Sequence, residues 1–108
     1  MDANRDRAAG RWGALADGTR LAIVARLAEG PLPVGRLAAG LPVTRSAVSQ
    51  HLKILKDAGL VEDMAVGTRR IYRLNPAALA ALRDQLDTYW RRALSGYADA
   101  AQAPTEED

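Results

Sequence analysis

The sequence predicts a mainly α-helical chain with one small β-hairpin, in the order ααααββα, which is a winged helix-turn-helix. Three observations lead there. A short apolar segment, a Gly/Pro turn and a capped amphipathic helix succeed one another between residues 34 and 58. That helix ends at a glycine and runs into two strands with a basic tip. A longer amphipathic stretch closes the chain.

The elements follow in order. Residues 5 to 16 read as a first helix with Trp12, Leu15 and Ala16 on one side, weakened by Gly10 and Gly13. Asp17 can cap a second helix whose apolar side is Leu21, Ile23, Val24, Leu27 and Ala28, and Gly30-Pro31 mark its end. A short third helix, 34 to 39, carries Val34, Leu37 and Ala38 before Gly40-Leu41-Pro42 turns the chain. Thr44 caps the next helix, 44 to 58, whose Val48, Leu52 and Leu55 form an i, i+4, i+7 stripe flanked by Ala47, Ile54 and Ala58. Gly59 supplies a left-handed stop. The hairpin takes Leu60 to Ala65, a tip at Val66-Gly67-Thr68-Arg69, and Arg70 to Leu74. Asn75-Pro76 begins the last helix, with apolar positions Leu79, Leu82, Leu86, Tyr89, Trp90, Ala93, Leu94 and Tyr97. Residues 5–97 are therefore expected to be one winged helix-turn-helix domain. Residues 98–108 lack the pattern and are expected to be a disordered acidic tail.

Composition narrows the function. Of 108 residues, 48% are hydrophobic but only 5% aromatic and none is Phe, so the core must be Leu, Val, Ile and Ala. The chain has no Cys, hence no disulfide and no thiolate site. No apolar run approaches the ~20 residues that cross a membrane. The first residues lack a signal peptide's apolar core, so a cytoplasmic chain with no membrane partner is expected. No base follows Arg92, so residues 1 to 97 carry a net charge of +6 within a chain of +2. A basic body with an acidic end suits a nucleic-acid partner.

The helix at 44 to 58 carries the sharpest signal. With its stripe turned inward, Thr44, Arg45, Ser46, Ser49, Gln50, Lys53 and Lys56 lie outward or on the flanks, and no acid occurs before Asp57. Arg45 can take the two acceptors of guanine and Gln50 an adenine, while Ser46 and Ser49 serve bases or phosphates. Lys53 and Lys56, a turn or more later, suit phosphates. In the hairpin, Thr68, Arg69 and Arg70 can lay cations along a backbone or in a minor groove. Strand alternation puts Arg70 and Tyr72 on one face and Arg69, Ile71 and Arg73 on the other. Trp12, Leu15 and the Leu79, Leu82, Leu86, Tyr89, Trp90 and Leu94 face offer more apolar surface than a short domain needs, which points to a dimer interface.

Catalysis finds little support. His51 is the single histidine and adjoins the apolar stripe. Asp84 and Asp87 share a helix face but have neither a His nor a Cys partner. No Gly-rich phosphate loop or nucleophile-and-base set is present, so no enzyme activity and no cofactor are expected. The competing reading is a winged helix used for protein contact without a DNA role.

Taken together, Ala14-Leu15-Ala16-Asp17-Gly18-Thr19-Arg20-Leu21, Ser46-Ala47-Val48-Ser49-Gln50-His51-Leu52-Lys53-Ile54-Leu55, Ala58-Gly59-Leu60-Val61 and Gly67-Thr68-Arg69-Arg70-Ile71-Tyr72 closely resemble the ArsR/SmtB family of bacterial winged-helix repressors. The resemblance covers about residues 12 to 95. It implies a homodimer, built on the first and last helices, that binds an operator in double-stranded DNA and blocks transcription. Contacts from the start of the reading helix fall on Arg45, Ser46, Ser49 and Gln50. The family's metal sites use Cys, or Asp with His on the last helix. This chain has no Cys, and no His accompanies Asp84 and Asp87, so it looks like the non-metal, autorepressor-type branch.

Overall fold

The computed structural model describes residues 10–102, and expectations for residues 5–9 and 103–108 fall outside them. Helical residues 10–14 (α1) lead into α2 (Gly18–Leu27), β1 (Leu32–Pro33), α3 (Val34–Ala39), α4 (Arg45–Asp57), β2 (Val61–Val66), β3 (Arg69–Leu74) and α5 (Pro76–Gln102). Asp17 holds an extended backbone (φ −130°, ψ 131°) and accepts from the N–H groups of Thr19 and Arg20. That cap obliges the chain to leave the helix first, so α1 stops short of the expected residue 16.

The core gathers residues from the five helices, from β2 and from the link before it: Ala14, Ile23, Leu27, Leu37, Val48, Leu52, Leu55, Leu60, Val61, Ala78 and Leu82. Trp12, Leu15 and Val24 pack against it half-buried, whereas Leu21, expected on the inner side of α2, is half-exposed. The stripe of α4 is fully enclosed, with Val48 and Leu55 at 0% exposure. This anchors the helix so that its opposite face stands free.

Two corrections concern the sheet. The hairpin belongs to a three-stranded sheet of order β1-β3-β2, in which Leu32 faces Tyr72 and Pro33 faces Ile71. Two residues interrupted by Pro33 carry no alternation to read, and proline is tolerated because β1 is an edge. The turn is also tighter than expected, only Gly67-Thr68, so that Val66 and Arg69 pair as strand residues. Gly67 (φ +63°) takes the first central position, where a type II′ turn needs glycine.

At the other end, α5 passes Tyr97 and continues to Gln102, so residues 98–102, expected to be disordered, are helical. Ala98, Ala100 and Ala101 are exposed and, as strong helix formers, extend it by their own propensity. Asn75 joins α4 to α5. Its Oδ1 accepts from Ala77 and Ala78 N–H groups, and its Nδ2 donates to the Gly59 carbonyl at 3.0 Å. The molecule measures 67 × 31 × 25 Å with a radius of gyration of 18.7 Å, against about 13 Å for a compact chain of this length. The excess is the outer part of α5, every residue of which is exposed from Leu86 onward.

Candidate nucleic-acid interface

Thr44 starts α4 from an extended backbone, and its Oγ1 accepts from Ala47 N at 3.1 Å. The hydroxyl proton remains available to an outside acceptor. Arg45, Ser46, Ser49 and Gln50 are all exposed over the first turns of α4. The positive end of the helix dipole adds to the attraction for phosphate there.

Folding brings the wing beside that helix end. A groove is lined by Pro33, Val34, Gly35 and Arg36 at the start of α3, by Arg45 of α4, and by Thr68, Arg69, Arg70 and Tyr72 of the wing. Four arginines thus surround one concavity. Arg36 went unmarked in the sequence, although an exposed arginine on the helix before the reading helix was the available signal. Arg45 and Arg69 make no ion pair with any acid among the described residues.

Four other cations, Lys53, Lys56, Arg70 and Arg73, are paired with acids. Lys53 Nζ lies 3.4 Å from Asp57, and Arg73 lies 3.1 Å from Glu62 directly across the ladder. Lys56 Nζ and Arg70 Nη1 meet the two oxygens of Asp63 at 2.8 and 2.6 Å. The Lys56 ammonium, with the Arg70 guanidinium, holds the Asp63 carboxyl below the usual carboxylate range, and Asp63 raises Arg70 in return. Asp63 was not singled out in the sequence, because only the fold sets it between Lys56 and Arg70.

His51 is half-buried, its Nδ1 3.4 Å from Arg20 Nη1 and 3.9 Å from Asp17 Oδ1. The Asp17 carboxyl is likewise held low, chiefly by the Arg20 backbone N–H. His51 therefore packs α4 against the start of α2. Among the described residues no group of three His, Cys, Asp or Glu side chains could hold a metal ion, and Asp84 and Asp87 are both exposed on α5.

The apolar residues of the terminal helices divide. Leu82 is buried in the chain's own core, Leu79 is half-buried, and Trp12 and Leu15 pack on the core. Trp12 Nε1 donates to Gln85 Oε1, and Gln85 Nε2 to the Tyr89 hydroxyl at 3.1 Å, tying α1 to α5. Beyond them Leu86, Tyr89, Trp90, Leu94 and Tyr97 are each at least half exposed. No helix among the described residues is long and apolar enough to cross a membrane.

Comparison with known proteins supplies a context for this geometry. A family model described as a helix-turn-helix domain matches residues 15–63. The chain is 68% identical over 87 residues to the HTH-type transcriptional regulator Rv2034 of Mycobacterium tuberculosis, covering 81% of each. It is 40% identical over 78 residues to the arsenical resistance operon repressor of Escherichia coli, covering 71% of this chain and 67% of that one. Its fold is similar to the solution structure of Mb0332 from Mycobacterium bovis, described as a homodimeric winged helix-turn-helix DNA-binding domain and a possible ArsR-family regulator. That match has a TM-score of 0.66 and 29% identity, and covers 95% of this chain and 92% of the other.

Proposed function

The chain belongs to the ArsR family of winged helix-turn-helix transcriptional regulators, and on that premise we propose that it is a homodimeric repressor of a palindromic operator. The observation that carries the reading is the acid-free, exposed start of α4, with Arg45, Ser46, Ser49 and Gln50 beside the Arg69 wing. Arg45 and Gln50 read base edges, Ser46 and Ser49 bases or phosphates, and Thr44, Lys53, Lys56, Thr68, Arg69 and Arg70 hold the backbone. Two copies joined through the outer half of α5 set their reading helices about one DNA turn (~34 Å) apart, which is why the operator is two-fold symmetric. The homodimeric similar structure supports that assembly. Occupying the operator blocks transcription, and the chain's own promoter is the first candidate target.

The chain does this without sensing a transition metal. It has no Cys and one His, and that His already packs against Asp17 and Arg20. Soft or borderline metals need several thiolate or imidazole donors, and this chain has a single imidazole and no thiol. DNA affinity is accordingly unchanged by zinc salts or by a chelator.

A gel-shift titration on the promoter of the protein's own gene tests the reading. Gln50→Ala combined with Arg69→Ala weakens binding by about 2–4 kcal/mol, Gln50 supplying discrimination and Arg69 a sequence-independent share. Wild-type affinity in that double variant overturns the docking. A winged helix used only for protein contact predicts no DNA binding at either low or high salt.

A further inference from the structure

Nothing in the DNA-reading role explains Asp63, an acid set among the cations of the interface. Its side chain is only 8% exposed, and each of its oxygens has a separate cation. Oδ1 meets Lys56 Nζ from the last turn of α4, and Oδ2 meets Arg70 Nη1 from the start of β3. Among the ion pairs of the described residues, Lys56–Asp63 is the one that joins α4 to the sheet.

The wing needs such a tie. The edge strand β1 pairs with β3 only at Tyr72 and Ile71, so residues 65 to 70 form a bare two-stranded ribbon, exposed throughout. An isolated ribbon of that kind is marginal in water. Both cations, meanwhile, remain half-exposed, at 50% for Lys56 and 58% for Arg70. A lysine has three donors and an arginine five, so each can hold Asp63 with one and a DNA phosphate with another.

We infer that Asp63 is a positioning residue that pins the wing to the reading helix and thereby sets how sharply the protein discriminates DNA sequence. The inference rests on the DNA-reading role proposed above. Asp63 fixes the spacing between the Lys56 and Arg70 charges, so phosphates are met in one register, the one in which Arg45 and Gln50 face base edges. It also keeps the local charge at +1. Without the carboxylate the two cations carry +2 and move independently, which favours any duplex over the right one.

The full-length chain tests this with two DNA duplexes, one enriched by wild type from a random pool and one scrambled, each titrated over a range of salt. Asp63→Asn is expected to bind the scrambled duplex more tightly. Its slope of log K against log[salt] steepens by about one. The ratio between the two duplexes falls about tenfold, the order of one lost base contact. Asp63→Glu restores the charge pairing and returns the slope towards wild type. A purely structural role moves neither slope nor ratio, and thermal unfolding of Asp63→Asn near the wild-type temperature separates the two. If Asp63→Asn keeps the wild-type slope and ratio, or loses affinity for both duplexes equally, this inference is overturned while the DNA-reading role stands. A wild-type chain that enriches no duplex overturns that role and the inference with it.

Discussion

Helices α4 and α5 are both amphipathic, yet they use their apolar faces in opposite ways. In α4, Val48, Leu52 and Leu55 are enclosed by the rest of the chain, and what remains outside is polar apart from Ile54 and carries no acid before Asp57. In α5, Ala78 and Leu82 are enclosed, and from Leu86 to Tyr97 the apolar stripe continues exposed among the described residues. A stripe that ends where the core ends holds a helix in place. One that outruns the core by more than three turns offers a surface to another molecule. The first helix presents a reading face because its inner face is satisfied; the second presents its inner face.

The largest effect should come from breaking the second pattern. Trp90→Glu combined with Leu94→Glu places two charges on the open stripe, where neither residue touches the core. The expected result is a folded monomer by sedimentation with unchanged helical content. Operator affinity falls about a hundredfold or more, because a second half-site engaged through the same dimer is worth that much or more. An operator affinity left intact in a demonstrated monomer would remove the link between α5 and DNA reading.

The enclosed stripe responds differently. Leu52→Ala leaves a cavity at a position of 1% exposure, and substitutions of this kind cost about 2–5 kcal/mol. Denaturant unfolding measures it. Its cost is the same at every protein concentration, whereas Leu86→Ala on the open stripe changes the apparent stability only through the dimer equilibrium and so varies with dilution. Concentration-dependent loss at Leu52, or none at Leu86, would erase the distinction between the helices.

The sequence made this contrast legible only in part. Periodicity located α4 within a residue at each end, with Thr44 and Gly59 as punctuation, because capping and apolar spacing are local. It also located the apolar positions of α5, but spacing alone does not say which of them the core reaches. Leu82 and Leu86 look alike in sequence, and only the fold separates them, burying the former in the core and leaving the latter exposed. The same limit hid β1, whose two residues pair with Tyr72 and Ile71 some forty positions away, and Asp63, whose partners lie on other elements. Arg45, Ser46, Ser49 and Gln50 were readable as outward-facing because the stripe opposite them is unbroken. Arg36 enters the same groove from another helix, which no single-helix pattern conveys.

The smallest expected effect lies at the joint between the two helices. Asn75 accepts from the Ala77 and Ala78 N–H groups at the start of α5 and donates to the Gly59 carbonyl just past the end of α4. Asn75→Ala removes both functions and should cost about 1 kcal/mol, the usual worth of an N-cap. Asn75→Asp keeps the two acceptor contacts and puts a negative charge at the positive end of α5, which is favourable by several tenths of a kcal/mol. It loses only the donation to Gly59, and it sets a carboxylate oxygen against that carbonyl. If the cap is what matters, Asp lies near wild type and Ala well below it. If the strap between helices matters, the two variants fall together, because neither can donate. Equilibrium unfolding of the three proteins at neutral pH decides which half of the side chain holds the angle at which α5 leaves the reading domain.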